Sequence, residues 1–274
     1  MGERTDIAII GPGTVGTALG VLARRAGWSV CGVAGGGPGR ARAAAETIGE
    51  TRAGAAPAVA SAAGLVLLTV PDESIRAVCG ELSAAGALTA GSVVAHCSGA
   101  LGSEALESAR ACGAAVGSLH PLQTFPTPDA AIEKMPGTFF FIEGDERAMQ
   151  MLEPFASAVG GRPVRIAAAA KPLYHAAAVM ACNYLTALLD AALTAAQQAG
   201  IERSVAAEAL EPLVRATLDN VWSLGCERAL TGPIVRGDAE TVRRHLGALA
   251  GGELDELYRS AGVYAAGLAE RSGR

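Results

Sequence analysis

The sequence predicts an α/β protein: a doubly wound, mostly parallel sheet over residues 1–167, followed by an all-α second domain over residues 168–274. Three observations carry this expectation. Short apolar runs rich in β-branched residues alternate with stretches of helical length through the first 165 residues. A glycine-rich turn, Gly11-Pro12-Gly13-Thr14-Val15-Gly16, joins the first run to the first helix. After Ile166 no strand signal recurs and only helical patterns follow.

The apolar runs are Ile7–Ile10, Ser29–Val33, Leu65–Val70, Ser92–His96, Ala115–Leu119, Thr138–Ile142 and Pro163–Ile166. Continuous rather than alternating apolarity over Leu65–Val70 marks a central strand covered on both faces. The Ala/Leu/Arg segments between the runs are crossover helices, and Gly35-Gly36-Gly37-Pro38-Gly39 is a loop. Lys171-Pro172 opens a long helix running to Gly200, because proline needs no N–H in a first turn. Helical patterns continue at Ser204–Leu224, Ala239–Leu249 and Leu254–Ala269, with Asp238 as N-cap of the second of these.

Half of the 274 residues are hydrophobic and 18% are charged, which excludes global disorder. A net charge of −5 argues against nucleic acid or an anionic membrane as partner. The six cysteines form no CxxC pair, as expected of reduced, mostly buried thiols in a cytoplasmic protein, and no metal ligand is assigned. The first strand begins too early for a signal peptide before it. The apolar stretch from Ala176 to Ala196 is largely alanine, and Asp190 at a bilayer centre would cost roughly 2.5–3.5 kcal/mol. A core or interface helix is expected there instead of a membrane span.

The glycine turn has the spacing of a Rossmann dinucleotide-binding unit. Gly11 allows the tight turn, Gly13 lets backbone approach a pyrophosphate, and Gly16 lets the helix pack on the strand. Pro12, Thr14 and Val15 complete the cradle, where free N–H groups face an anion. No carboxylate occurs between Asp6 and Glu46, so nothing at the end of the second strand suits a ribose 2′-hydroxyl. Arg40 and Arg42 follow instead and suit a 2′-phosphate, which points to NADP; the alternative is two arginines on an exposed helix start. Val70 and Pro71, ending the third strand, are expected beside the cofactor, and Asp72 is expected to cap the next helix.

Ligands of open α/β sheets bind outside the carboxyl ends of the strands. Two strand ends there carry polar clusters, His96-Cys97-Ser98-Gly99 and Ser118-Leu119-His120-Pro121-Leu122-Gln123-Thr124. A third cluster, Lys171-Pro172-Leu173-Tyr174-His175, opens the long helix, with Asn183 further along it. At 100° per residue, Cys182, Asn183, Thr186 and Asp190 fall within about 80° of His175, forming one polar stripe. Each histidine taken singly also has a structural reading; three of the four gather at strand ends or the domain junction.

These motifs, with Thr231-Gly232-Pro233-Ile234-Val235-Arg236-Gly237-Asp238, resemble a family of two-domain Rossmann-like oxidoreductases whose C-terminal domain is of unknown function. That family is similar to the 6-phosphogluconate and β-hydroxyacid dehydrogenases, ketopantoate reductase and pyrroline-carboxylate reductase. The resemblance covers nearly the whole chain. It implies NADP-dependent oxidation or reduction of a small acid or imine, and homodimers built through the helical domain. In the β-hydroxyacid relatives a catalytic Lys opens the second domain, with Asn one or two turns later. Counted back from Gly200, His175 falls at the Lys, Val179 at the first Asn and Asn183 at the second, while Lys171 lies one turn early. Ser98 falls near their carboxylate-binding Ser/Thr, and His120 where prephenate dehydrogenases carry a His-Pro pair.

The expected chemistry is hydride exchange between a nicotinamide and a small 2-oxo or hydroxy acid or an imine. His175 or Lys171 is the acid/base, Asn183 bonds the reacting oxygen, and Ser98 and His120 bind the acid end. A non-catalytic NADP(H)-binding redox sensor or scaffold is the alternative, favoured by the displaced Lys. A dimerisation module that binds no cofactor is a third.

Overall fold

The computed structural model describes residues 6–271 and residue 273. Its strands are β1 (Ile7–Ile10), β2 (Val30–Ala34), β3 (Leu65–Leu68), β4 (Val93–His96), β5 (Ala115–Pro121), β6 (Phe139–Gly144) and β7 (Arg162–Arg165). They form one sheet in the order β2-β1-β3-β4-β5-β6-β7. Strands β1 to β5 are mutually parallel, and β6 and β7, parallel to each other, run antiparallel to them. All seven expected strands are present, within two residues at either end.

The helices of the first part are α1 (Thr14–Arg25), α2 (Pro38–Ile48), α3 (Ala56–Ala60), α4 (Asp72–Ala84), α5 (Glu107–Ala111), α6 (Pro128–Lys134) and α7 (Glu146–Ala158). They lie on both faces of the sheet, which explains the continuous apolarity of the strands. Ile7, Ile9, Leu65, Leu67, Val93 and Ala95 face a core shared with α1, α2 and α7. Ala8, Ile10, Val66, Leu68 and Val94 face the opposite core, with Ile75 and Leu82 of α4. Each fully buried Leu or Ile contributes about 1.5–3 kcal/mol.

The remaining helices are α8 (Lys171–Val179), α9 (Leu185–Gln198), α10 (Arg203–Leu224), α11 (Cys226–Ala229), α12 (Ala239–Leu249) and α13 (Glu253–Arg271). Between α8 and α9, residues Met180–Tyr184 form one π-helical turn. Asp238 caps α12 as expected, its carboxylate accepting from the Thr241 N–H at 3.0 Å and the Thr241 hydroxyl at 2.7 Å.

The chain divides into two compact units, 1–182 and 183–274. The division falls later than the expected 167/168 boundary, because α8 is tied to the sheet by the buried Lys171. Within the second unit α10 packs on α9 and α11, and α13 on α11 and α12. Trp222, Leu213, Val263 and Tyr264 remain exposed there.

The helical run Ala168–Gln198 is long and apolar enough to cross a membrane, by length and composition. Beyond Lys171 none of its residues is buried, so it is not a core helix of this chain. A π turn interrupts the even 100° spacing between His175 and Asp190, and the stripe residues Cys182, Asn183, Thr186 and Asp190 are all exposed. Asp190 is exposed and pairs with Arg203.

Candidate functional site

Parallel pairing sets Ile10, Leu68, His96 and Ser118 side by side across β1, β3, β4 and β5. The loops that leave these strands therefore share one edge of the sheet. The glycine turn occupies its β1 position. Gly11 has φ +120°, and a Cβ on it would stand 2.5 Å from the Thr69 carbonyl carbon and 2.8 Å from the Val70 nitrogen. On Gly16, a Cβ would stand 2.4 Å from the Gly11 carbonyl oxygen. Both glycines are thus required by close backbone approach. The Thr69 hydroxyl locks the turn by donating to the Gly11 carbonyl at 2.6 Å.

Gly13 differs: a Cβ there would meet nothing within 4 Å. Gly13 is the N-cap of α1, has no side chain to satisfy the first N–H groups, and is followed by no acidic residue in the first turn. Open space before an uncapped helix N-terminus fits a dinucleotide pyrophosphate. Val70 and Pro71 stand where the sequence puts them, against Gly11 and at the start of α4.

At the β2 end, Gly35, Gly36 and Gly37 all have positive φ. A Cβ on Gly36 would lie 2.9 Å from the Pro12 ring and 3.3 Å from Cβ of Arg40, so this loop borders the turn. Arg42 lines a groove of about 1200 Å³ together with Gly35, Gly37, Glu46 and Arg52. Among the described residues, Arg40 and Arg42 form no ion pair or side-chain hydrogen bond, leaving both available to an anion.

The polar cluster lies at the ends of β4 and β5 and is closed by α8. Lys171 is only 1% exposed; its ammonium donates to the Ser98 carbonyl at 2.8 Å and the Ser118 hydroxyl at 2.6 Å. Burial lowers its pKa to about 8. His96 is fully buried: its Nδ1 accepts from the Ser98 N–H at 3.2 Å, so its Nε2 carries the proton and donates to the Gly102 carbonyl at 3.0 Å. Burial also keeps His96 neutral by lowering its pKa.

His120 contacts α8 through Tyr174, whose hydroxyl lies 2.6 Å from Nδ1. The Tyr174 ring rests on Phe141, the cross-strand partner of His120, with centroids 4.4 Å apart. Burial, then the charges of Lys171 and His175, lower the His120 pKa to about 4. His175 meets His120 edge-on at 5.8 Å between centroids, and its buried Nδ1 has no hydrogen-bond partner. Gly99 makes room for both: a Cβ on it would stand 2.5 Å from His175 Nδ1 and 2.8 Å from His120 Nε2.

Two expectations change here. Asp72 does not cap α4; Pro71 occupies the N-cap position, and the Asp72 carboxylate accepts from the Ser98 hydroxyl at 2.7 Å. Ser98 was expected to bind a substrate carboxylate, but its hydroxyl also accepts from the Ala100 and Leu101 N–H groups at 3.2 and 3.0 Å. One proton and two lone pairs are then spent on the fold. Lys171, His175 and His120 are brought together as expected. Asn183 is exposed in the π turn, opens the second unit, and its amide has no hydrogen-bond partner among the described residues.

Sequence reasoning gave no role to Gly99, Ser118 or Tyr174. Only the placing of Tyr174 inside the Lys171–His175 cluster signalled it. Burial pushes the Cys97 thiol up to about 12, so it is no nucleophile at neutral pH.

Residues 2–121 match the model of a Rossmann-like domain, and residues 138–265 that of a domain of unknown function, DUF2520. No curated protein matches the chain. Among solved structures, a protein from Thermotoga maritima is 26% identical with a TM-score of 0.75, covering 98% of this chain and 100% of its own. A candidate NADP oxidoreductase from Bacteroides fragilis is 22% identical with a TM-score of 0.78, over 96% and 98% of the two chains. A pyrroline-5-carboxylate reductase from Coxiella burnetii is 19% identical with a TM-score of 0.60, over 98% and 99%. An imine reductase from a Pseudomonas species is 18% identical with a TM-score of 0.65, over 98% and 96%.

Proposed function

We propose that this chain, a Rossmann-like domain joined to a DUF2520 domain, is an NADP-dependent oxidoreductase acting on a small 2-oxo or hydroxy acid or an imine. One observation carries the reading: a single sheet edge holds both the open, uncapped helix start at Gly13 and a pair of histidines with unspent nitrogens. The fold shared with a pyrroline-5-carboxylate reductase and an imine reductase supports it.

Gly11 to Gly16 would hold the pyrophosphate, with Val70 and Pro71 alongside, and Arg40 and Arg42 the 2′-phosphate. The nicotinamide, when bound, supplies or accepts the hydride. His120 stays neutral to about pH 4 and holds an oxygen of the substrate. His175, with its unpaired Nδ1, moves the proton. Lys171 is spent on Ser98 and Ser118 and positions α8 rather than touching substrate. The exposed apolar side chains of the helical unit support a homodimer, readable by analytical ultracentrifugation.

Fluorescence titration with NADPH and NADH is the first test, followed by NADPH oxidation against a panel of 2-oxo acids and cyclic imines. NADPH should bind more tightly, with the preference lost in an Arg40→Ala/Arg42→Ala double variant. His175→Ala should lower turnover at least ~100-fold, the low end of acid/base contributions. Equal affinity for NADH refutes the NADP assignment. Tight binding without turnover would instead make the chain a redox sensor, and no binding at all a plain assembly module.

A further inference from the structure

We infer that Tyr174 is a positioning residue that fixes the His120 proton on Nε2, so that His120 offers its substrate a neutral N–H donor rather than a base. This rests on the oxidoreductase reading above only for its catalytic consequence; the proton's location stands on geometry. The Tyr174 hydroxyl and His120 Nδ1 are 2.6 Å apart, and one proton lies between them. A phenol O–H is the better donor and an imidazole nitrogen the better acceptor, so the phenol donates and Nδ1 is left unprotonated.

The surroundings hold that arrangement. Phe141 seats the phenol ring from β6, so the hydroxyl cannot swing away without losing an aromatic contact. Every other titratable group facing His120 is accounted for: Lys171 and His175 from α8 and His96 from β4 oppose a positive charge on it, and Asp72 from α4 favours one. The net result is a neutral ring. With Nδ1 occupied, the free Nε2 faces Gly99 beside the unpaired Nδ1 of His175. The site therefore takes a ligand with an oxygen acceptor for His120. It does not require a ligand that donates to it. A neutral imidazole N–H of this kind binds a substrate oxygen without titrating near pH 7.

The test is the histidine tautomer in the full chain. ¹⁵N-histidine labelling and long-range ¹H–¹⁵N correlation at pH 7 should show His120 protonated on Nε2 alone, with its signals assigned by their loss in His120→Gln. Tyr174→Phe should turn this single form into a mixture. Wild-type His120 carrying its proton on Nδ1 overturns the proposal, and the wild-type spectrum decides it even if the variant folds poorly. A Tyr174→Phe tautomer equal to wild type overturns it as well. Neither measurement needs cofactor or substrate, so failure here is separate from failure of the oxidoreductase reading. Where turnover is found, Tyr174→Phe should raise KM about tenfold with kcat within about threefold, the pattern of lost ground-state binding. A loss confined to kcat would overturn the positioning role.

Discussion

Lys171 and Ser118 are joined by a 2.6 Å hydrogen bond between a late helix and a central strand, in a position where the ammonium has almost no contact with water. Burial brings the Lys171 pKa down to about 8. In the unfolded chain it is about 10.4. Between those values the unfolded chain holds a proton that the folded chain has released, so folding stability from this group rises with pH. Below pH 8 the folded chain carries a buried charge at a cost of about 3 kcal/mol. The stability of wild type relative to Lys171→Met should thus improve by about that amount between pH 7.5 and pH 10.5, read by denaturant unfolding. A gap that stays flat would show that the ammonium is hydrated.

Gly99 has ordinary backbone angles, so alanine there meets no conformational penalty, only the two imidazoles. Gly99→Ala should cost about 1–3 kcal/mol of stability, the usual range for overpacking. Its turnover should fall at least ~100-fold, because both rings must move from their shared position. Calorimetry and steady-state assays together check this; unchanged activity would remove the histidine pair from the site.

The second and third glycines of the turn predict opposite outcomes from the same substitution, at Gly13 and at Gly16. Gly13→Ala has open space and should melt like wild type while binding NADPH at least about tenfold more weakly, through crowding at the pyrophosphate. Gly16→Ala meets the Gly11 carbonyl and the Thr69 hydroxyl, both at 2.4 Å, and should lose about 1–3 kcal/mol or more before any ligand is added. Thermal melts and fluorescence titrations separate the two; a destabilised Gly13→Ala contradicts the open cradle.

Acid should act through His120. Its pKa drops from about 6.5 in the unfolded chain to about 4 in the folded one. As pH falls below 6.5 the unfolded chain takes up a proton that the folded chain refuses, and stability declines until about pH 4. Wild type should lose up to about 3 kcal/mol more than His120→Gln over that window. Parallel acid titrations by circular dichroism measure the difference, and superimposable curves would place His120 in water.

The strands were legible because burial on both faces leaves a continuous apolar run, as in Leu65–Leu68, that no surface helix needs. The glycine turn was legible because its spacing is set by backbone contact with Thr69 and Val70, which only glycine permits. Ser98 and Asp72 were misjudged for a shared reason. Each has a standard local role, a ligand hydroxyl and a helix cap, yet they satisfy each other across two strand ends. No spacing rule reports a contact between residues so far apart in sequence. The π turn at Met180–Tyr184 was equally hidden, since one added residue leaves the composition of an Ala/Leu helix unchanged.

The position of Lys171 along the chain has a bearing on how the protein is made. By Arg165 every strand has been synthesised, and the sheet has all the parts its cores require. Yet Lys171, Tyr174 and His175 come afterwards, and with them the bonds to Ser98, Ser118 and His120. A nascent chain or a truncated product ending at the last strand would have the glycine turn without the cluster beside it. Under the proposed function, nucleotide binding and the chemistry next to it would therefore be acquired in sequence during synthesis, and a gene fragment could inherit the first without the second.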